Sequence, residues 1–464
     1  MTSKEQLLQR IDEIMHPRSV AIVGVPRSMK TGKLFFMALL DQGFSGRIYP
    51  VSPQAEQIDG FKAYPSISAI PGEVDLAIIL VPQQLTLAAV KECAAKGVKG
   101  AVLFTAGYKE TGTDEGRIHE EQLVKVAHAS GMRLIGPNCM GVYAPRSGLS
   151  FFPQLEREAG PVGLVSHSGS LANIICRIAP QRGIRFSKAI SLGNECDLTS
   201  ADFLLYLAKD EETSVIGAYI EGIKNGQFFF DALREASLKK PVILWKVGLT
   251  SAGAQAAASH TGALASARKV WEGVVKQAGA ITVVGFEAWF DAIMGFTMLP
   301  GHLGDRIAII SGPGGLAVSA AEACEENGLR LAQLSPETRE SLAAVLPPTG
   351  TSLRNPIDVG LTASLDIGIY IQSIQTVISD PAVDAIVIIG AGLSPEANRM
   401  YTDAVVETHR RSGKAILMVN IPGFDPSYIP QFCEAGIPFF ESSERALRTY
   451  ASVLSYQQWR KKKQ

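Results

Sequence analysis

No uninterrupted apolar stretch in these 464 residues approaches the ~20 that a bilayer-crossing helix needs, so the chain is expected to work in water, without a membrane partner. The N-terminal segment Met1-Thr2-Ser3-Lys4-Glu5-Gln6-Leu7 is polar and carries both signs of charge, which reads as neither a signal peptide nor a transit peptide. An excess of one charge is missing too: 44 Lys plus Arg face 45 Asp plus Glu, so no global field favours nucleic acid. The basic run Arg460-Lys461-Lys462-Lys463 is read as a solvated tail. The six cysteines form no CxxC and no metal-ligand spacing; they fit reduced thiols in a cytoplasmic protein, and no metal site is expected.

Apolar residues make up 46 % of the chain and glycines number 44, which indicates a well-buried protein with many tight turns. The length allows about three domains of roughly 150 residues each. Over residues 1–150, runs at Ser19 to Val23, Ile48 to Val51, Leu76 to Val81, Gly100 to Phe104 and Arg133 to Ile135 are apolar along almost their whole length. Helix-length segments separate them, so a parallel sheet covered on both faces is expected: a doubly wound, Rossmann-like α/β domain.

Such sheets bind ligands at the carboxyl ends of their strands. The expected binding residues are therefore Gly24, Pro26, Arg27, Lys30, Gly32 and Lys33 after the first run, and Val51, Ser52 and Pro53 after the second. Val81 and Pro82 follow the third, Ala106 and Gly107 the fourth, and Asn138 the fifth. The first of these loops holds neither GxGxxG nor GxxxxGK[ST], which argues against a dehydrogenase. Its three cations, Arg27, Lys30 and Lys33, beside the free amides of a helix start, suit a polyphosphate. A solvated basic loop is the other reading of the same residues.

A second α/β unit, residues 151–298, opens at Val162-Gly163-Leu164-Val165-Ser166, and a third, residues 303–464, at Ile307-Ala308-Ile309-Ile310-Ser311. Laid over each other, both read strand, Ser, two residues, Gly, one residue, Leu-Ala, then a helix. This predicts a duplicated flavodoxin-like fold, with Leu299 to Gly304 as the linker. In each copy the turn is expected to aim helix amides at the strand ends and make an anion site, which in the second domain names Ser166, Ser168, Gly169 and Ser170. The third domain, whose neighbourhood holds only His302 and His409, is assigned to scaffolding and subunit contact.

In the second domain Pro241 to Trp245 reads as a buried strand. The connection from Lys246 to Ser259, built from small residues, reads as a mobile loop that leads to His260. An imidazole there can accept a phosphoryl group and pass it on; a loop histidine bonded to nearby backbone is the other reading. Glu221, at the end of the run Val215 to Ile220, emerges on the same sheet edge, where a carboxylate fixes the tautomer of an imidazole and stabilises a charged or phosphorylated ring. Glu221 also reads as an exposed strand-end acid.

Gly43 to Val51, Gly136-Pro137-Asn138-Cys139-Met140-Gly141, Ser166 to Ala172, Tyr219-Ile220-Glu221-Gly222, Ser259-His260-Thr261-Gly262 and Asn355 to Val359 occur in this order. Together they resemble the α subunit, or α half, of nucleoside-diphosphate-forming acyl-CoA synthetases, the superfamily of ADP-forming acetyl-CoA synthetase and succinyl-CoA synthetase. The resemblance implies that the first domain binds CoA and that His260 carries the phosphoryl group. It implies that Glu221 holds that histidine, that the helix opening at Ser168-Gly169-Ser170 presents amides to its phosphate, and that the carboxylic acid lies near Asn138. Acyl-CoA, inorganic phosphate and a nucleoside diphosphate would give acid, CoA and nucleoside triphosphate through an acyl phosphate and a phosphohistidine.

In that family Mg2+ with ADP/ATP or GDP/GTP belongs to an ATP-grasp module of the β subunit. Nothing in this chain reads as one, so a separate β chain, and hence a hetero-oligomer, is expected. At His167 the succinate-specific relatives have arginine. Two other readings stand beside this one. A CoA-binding regulatory protein of the same fold is opposed by the retention of His260, Glu221 and the Ser166 turn, and an NAD-dependent enzyme by the missing fingerprint.

Overall fold

The computed structural model describes residues 3–261, 268–360, 362–390 and 392–463, with the side chains of 257–261 and of Ser364 outside that description. The chain divides into two compact units, Met1–Pro180 with Arg185–Val284, and Gln181–Ile184 with Gly285–Gln464. Among the described residues no helix is long and apolar enough to cross a membrane.

The first unit holds two principal sheets. One is all parallel, in the spatial order Arg47–Val51, Ser19–Val23, Leu76–Ile79, Gly100–Leu103, Arg133–Ile135. Ser19–Val23, Leu76–Ile79 and Gly100–Leu103 are buried at every position, which is why their sequences do not alternate. From Ser19–Val23 the chain first goes to one neighbour, Arg47–Val51, and then to the other, Leu76–Ile79, so a crevice opens at the carboxyl end of that strand.

The second sheet runs Ile281–Val283, Val242–Lys246, Val215–Ile220, Val162–Ser166, Phe186–Ser191, Gly141–Tyr143, with only the last strand antiparallel. Its own reversal of direction falls at Val162–Ser166. Because Gly141 is in register with Ser191, the chain passes from the first sheet to the second within residues 136–140, well before residue 150.

The second unit carries a third parallel sheet, Arg330–Leu331, Arg306–Ser311, Ala385–Ile389, Ala415–Val419, Phe439–Phe440, with Ile357–Asp358 also pairing on Arg306–Ser311. The strands flanking Arg306–Ser311 on that side are separate, and the Asn355 side chain fills the gap between them. Its Oδ1 accepts from Ile309 N at 2.9 Å and its Nδ2 donates to the carbonyls of Ile307 and Ala332 at 2.7 and 3.0 Å.

Helix Phe286–Met298, which the sequence reading placed in the second domain, belongs to this unit. Arg445 of helix Ser443–Lys463 clamps its Asp291 with two hydrogen bonds of 2.6 and 2.7 Å, and Gly295 leaves room for Thr449. The basic run from Arg460 to Lys463 is the last turn of that helix rather than a tail, where cations meet the negative end of the helix dipole.

Candidate functional site

Two turns meet where the carboxyl edges of the two sheets of the first unit come together. The first follows Arg133–Ile135, with Asn138 in the left-handed region (φ 58°) and its N–H donating to Thr105 O at 3.1 Å. The second, Ser166 to Ser170, follows Val162–Ser166. Residues 192–198 clasp them together: Leu192 N donates to Ser166 O (2.8 Å), Asn194 N to Pro137 O (3.0 Å) and Cys196 N to Gly136 O (2.8 Å). Gly193 is required here, since a Cβ on it would meet Pro137 O at 2.1 Å. A cavity of about 260 Å³ opens between the turns, lined by Phe104, Ala106, Asn138, Met140, His167 and the Ser168-Gly169-Ser170 turn. A larger hollow of about 810 Å³ lies at the opposite, amino-terminal edge of the second sheet. Its lining carries four acids, Asp12, Asp210, Glu211 and Glu212, against the cations Arg146 and Lys209, a net negative charge that disfavours an anion.

The serines of the second turn divide their work. Ser166 is fully buried and its hydroxyl donates to Ser168 O at 2.8 Å, so it shapes the turn and has no proton left for a phosphate, contrary to the expectation from sequence. Ser168 caps helix Gly169–Ile178, accepting from Leu171 N at 3.4 Å. The amides of Gly169 and Ser170, which no helical carbonyl can reach, are the donors available to an anion.

The corresponding turn of the third sheet is built the same way, with Ser311 Oγ donating to Pro313 O at 2.9 Å. Here Asp358 Oδ2 lies 2.7 Å from where a Cβ on Gly314 would stand, so the chain's own carboxylate sits at the helix start. A carboxylate at that helix start repels a bound anion, which opposes the second anion site expected from sequence.

Glu221 is buried, not an exposed strand-end acid. Its main-chain N–H donates to His167 Nδ1 at 3.1 Å, and its main-chain oxygen accepts from Lys246 Nζ at 2.8 Å. Because an amide can only donate, His167 Nδ1 is the acceptor and the ring proton is on Nε2, directed at Glu195 Oε1 3.0 Å away. Burial pushes the Glu195 carboxyl up, but the His167 ring and the Ser200 amide outweigh it and hold the group below the usual carboxylate range. Burial, then the Glu221 charge and the hydrogen bond to its carboxylate, push the Tyr219 phenol up. Burial lowers the Lys246 ammonium to about 8, against the pull of Glu221.

Glu195, Tyr219 and Lys246 were not singled out from sequence. Lys246 had a signal, a cation closing the apolar run Val242-Ile243-Leu244-Trp245, and Glu195 a weaker one, an acid in the turn Gly193-Asn194-Glu195.

On the first sheet the predicted loops come together in part. Gly24 (φ 96°) donates to Val51 O at 3.0 Å, and a Cβ on it would stand 2.9 Å from Val81. Gly32 lies flush against Gly24 O and Pro26, where a Cβ would be 3.1 Å from each. Helix Thr31–Gln42 thus starts directly over the end of Ser19–Val23. Ser52 is buried, with its N–H on Tyr64 O, while Pro53, Pro82 and Ala106 are exposed along the rim. Gly107 gives its carbonyl to Gln83 at 3.3 Å. Arg27 and Lys30 are exposed and open to an anion. Lys33 is not: it is 5 % exposed, its ammonium pairs with Asp59 at 2.7 Å, and it lies over the Phe36 ring.

His260 lies on helix Ser251–Thr261, where a loop was expected; its side chain, with residues 262–267, lies outside the described residues. Five alanines, the strongest helix formers, explain the helix. Thr250 starts it by accepting from Gly253 N at 3.1 Å. Residues 251–256 are all exposed or half-buried, so little apolar burial holds this segment, which lies against Lys109–Thr111.

Three family descriptions match in succession: a CoA binding domain over residues 18–145, a succinyl-CoA ligase like flavodoxin domain over 159–296 and a Ligase-CoA domain over 307–420. The chain is 37 % identical over 451 residues to the acetate–CoA ligase (ADP-forming) II subunit alpha of Pyrococcus furiosus, covering 96 % of this chain and 97 % of that one. It is 34 % identical to acetate–CoA ligase (ADP-forming) I of Archaeoglobus fulgidus, covering 96 % of this chain and 64 % of that protein. The solved structure of Ca. Korarchaeum cryptofilum dinucleotide forming acetyl-coenzyme A synthetase 1, in complex with phosphate and ADP, matches with a TM-score of 0.87 at 31 % identity over 97 % of each chain.

Proposed function

The chain belongs to the family of α subunits of ADP-forming acyl-CoA synthetases, and on that premise we propose that it performs the CoA-binding and phosphoryl-relay half of an acid–thiol ligase. The observation that carries the reading is the single cavity at which the open amides of Gly169 and Ser170 and the side chain of Asn138 converge, with His167 linking its wall to buried Glu221.

Acyl-CoA occupies the crevice of the first sheet, where Arg27 and Lys30 meet its phosphates, and its thioester reaches the cavity near Asn138. Inorganic phosphate, held by the helix amides, displaces CoA thiolate and leaves an acyl phosphate. His260 attacks the phosphorus of that anhydride, and the carboxylate leaves. The phosphorylated imidazole, with Glu221 holding its other nitrogen, then passes the phosphoryl group to a nucleoside diphosphate.

That acceptor, with Mg2+, is held by an ATP-grasp partner subunit. One feature supports a partner: relatives of full matching length are named as alpha subunits. The choice of ADP or GDP rests with that subunit.

Intact-mass and phosphopeptide analysis of the chain, purified with its ATP-grasp partner and incubated with Mg-ATP or Mg-GTP, tests the proposal. An acid-labile phosphoryl group on His260, discharged by CoA plus a carboxylic acid and missing from His260→Ala, is expected. A wild-type complex that binds CoA and nucleotide yet takes no label would overturn it.

A further inference from the structure

Val215–Ile220 ends one residue before Glu221, and the two strands beside it continue the ladder with side chains. From one side His167 Nδ1 accepts the Glu221 N–H at 3.1 Å. From the other, Lys246 Nζ donates to Glu221 O at 2.8 Å and to Val247 O at 2.5 Å. Lys246 is the last residue of its strand, in register with Ile220, and only 6 % exposed. The stretch from Val247 to Thr250 leads directly into the helix that carries His260. One buried ammonium therefore fastens the main chain beneath Glu221 to the root of the His260 helix. An apolar side chain of similar length would pack that strand end without the cost of desolvating a charge.

We propose that Lys246 is a positioning residue of the phosphoryl relay, fixing the Glu221 carboxylate and the root of the His260 helix at one separation. The inference rests on the roles given above to His260 and Glu221. With His167 on the opposite side and the Tyr219 hydroxyl on the carboxylate, Lys246 completes a hold on Glu221 that leaves its main chain no freedom to retreat when the imidazole arrives. Strand Ile281–Val283, on the other flank of Lys246, has no titratable side chain, and Glu221 is the charged group among the described residues that acts on the ammonium. Burial brings Lys246 to about 8, so its charge is present below that pH and lost above it.

The test measures the rate of His260 phosphorylation in the complex with its partner subunit and Mg-ATP, for wild type, Lys246→Met and Lys246→Arg, from pH 6.5 to about 9.5. CoA affinity of each variant serves as the check of folding. Wild type is expected to slow as pH rises through about 8. Lys246→Met should be about ten- to a hundredfold slower and lack that limb, with CoA affinity unchanged, and Lys246→Arg should recover part of the rate and show no limb near that pH. Wild-type rate and an unchanged pH profile in Lys246→Met, with His260→Ala unlabelled, would overturn the role of Lys246 alone. Absence of label on wild type would instead overturn the relay itself, and this inference with it.

Discussion

Nε2 of His167, in the wall of the cavity, stands 3.0 Å from Oε1 of Glu195, which is buried behind it. The pair fixes the tautomer by which His167 receives the Glu221 N–H, so a carboxylate outside the cavity orders the residue proposed to hold the phosphohistidine. Its folded pKa is depressed: burial raises it, but His167 and Ser200 lower it further. Glu195 therefore stabilises the fold above the ordinary carboxylate pKa, and that stability is lost as pH falls through the depressed folded value.

Glu195→Gln keeps the shape and removes the charge. It should lower stability at neutral pH by about 1.5–3 kcal/mol, the range for a hydrogen bond to a charged group. Melting temperature followed from pH 7 downward should show the gap to wild type closing in acid. A gap that stays constant with pH would mean that shape, not charge, is what Glu195 contributes.

Arg27, Lys30 and Lys33 looked alike in the sequence and separate in the structure. Arg27→Ala and Lys30→Ala should each weaken CoA binding roughly three- to tenfold, more at low salt, since both are exposed at the rim. Lys33→Ala should leave CoA affinity nearly unchanged and lower the melting temperature, because the side chain is buried and its ammonium pairs with Asp59 and lies over the Phe36 ring. Calorimetric titration with CoA at two salt concentrations, beside thermal melts, decides the matter. A loss of affinity in Lys33→Ala equal to that in Arg27→Ala, at unchanged melting temperature, would return Lys33 to the binding loop.

The sheets were legible because parallel strands buried on both faces write themselves as uninterrupted apolar runs, as Leu76–Ile79 and Ala385–Ile389 do. The Ser-x-x-Gly turn was legible because a strand passing into a helix needs a cap and a small residue there, and Ser168 and Gly169 supply them. What stayed hidden depends on pairs far apart in sequence: Lys33 with Asp59, Glu195 with His167, Lys246 with Glu221. The turn before Gly314 repeats the pattern of the one before Gly169, yet the Asp358 carboxylate lies at its helix start, a residue the local motif does not contain. Helix Ser251–Thr261 was misread because alanine counts both as a small loop residue and as the best helix former, and in that segment the second property prevails.

Lys188 tests whether the opposite edge of the second sheet is structural only. It is fully buried, with its ammonium 3.0 Å from Asp210 and 2.7 Å from Glu212, and Thr213 Oγ1 donates to the same Asp210 carboxylate at 2.6 Å. Removing the cation leaves the buried Asp210 carboxylate without its ion-pair partner, while Glu212 keeps Arg146 at 3.2 Å, so Lys188→Ala should cost about 3 kcal/mol in urea unfolding. Lys188→Met fills the volume but leaves the anions, and should cost somewhat less. Adding Asp210→Asn to Lys188→Met removes one uncompensated charge and should recover part of the loss, which a simple cavity account does not predict. CoA affinity should stay at the wild-type value in all three variants, because the CoA loops lie on the first sheet. If Asp210→Asn deepens the loss in the Lys188→Met background, hydrogen bonding by Asp210 to Thr213 outweighs the stranded charge, and the ion pair is not what holds this edge.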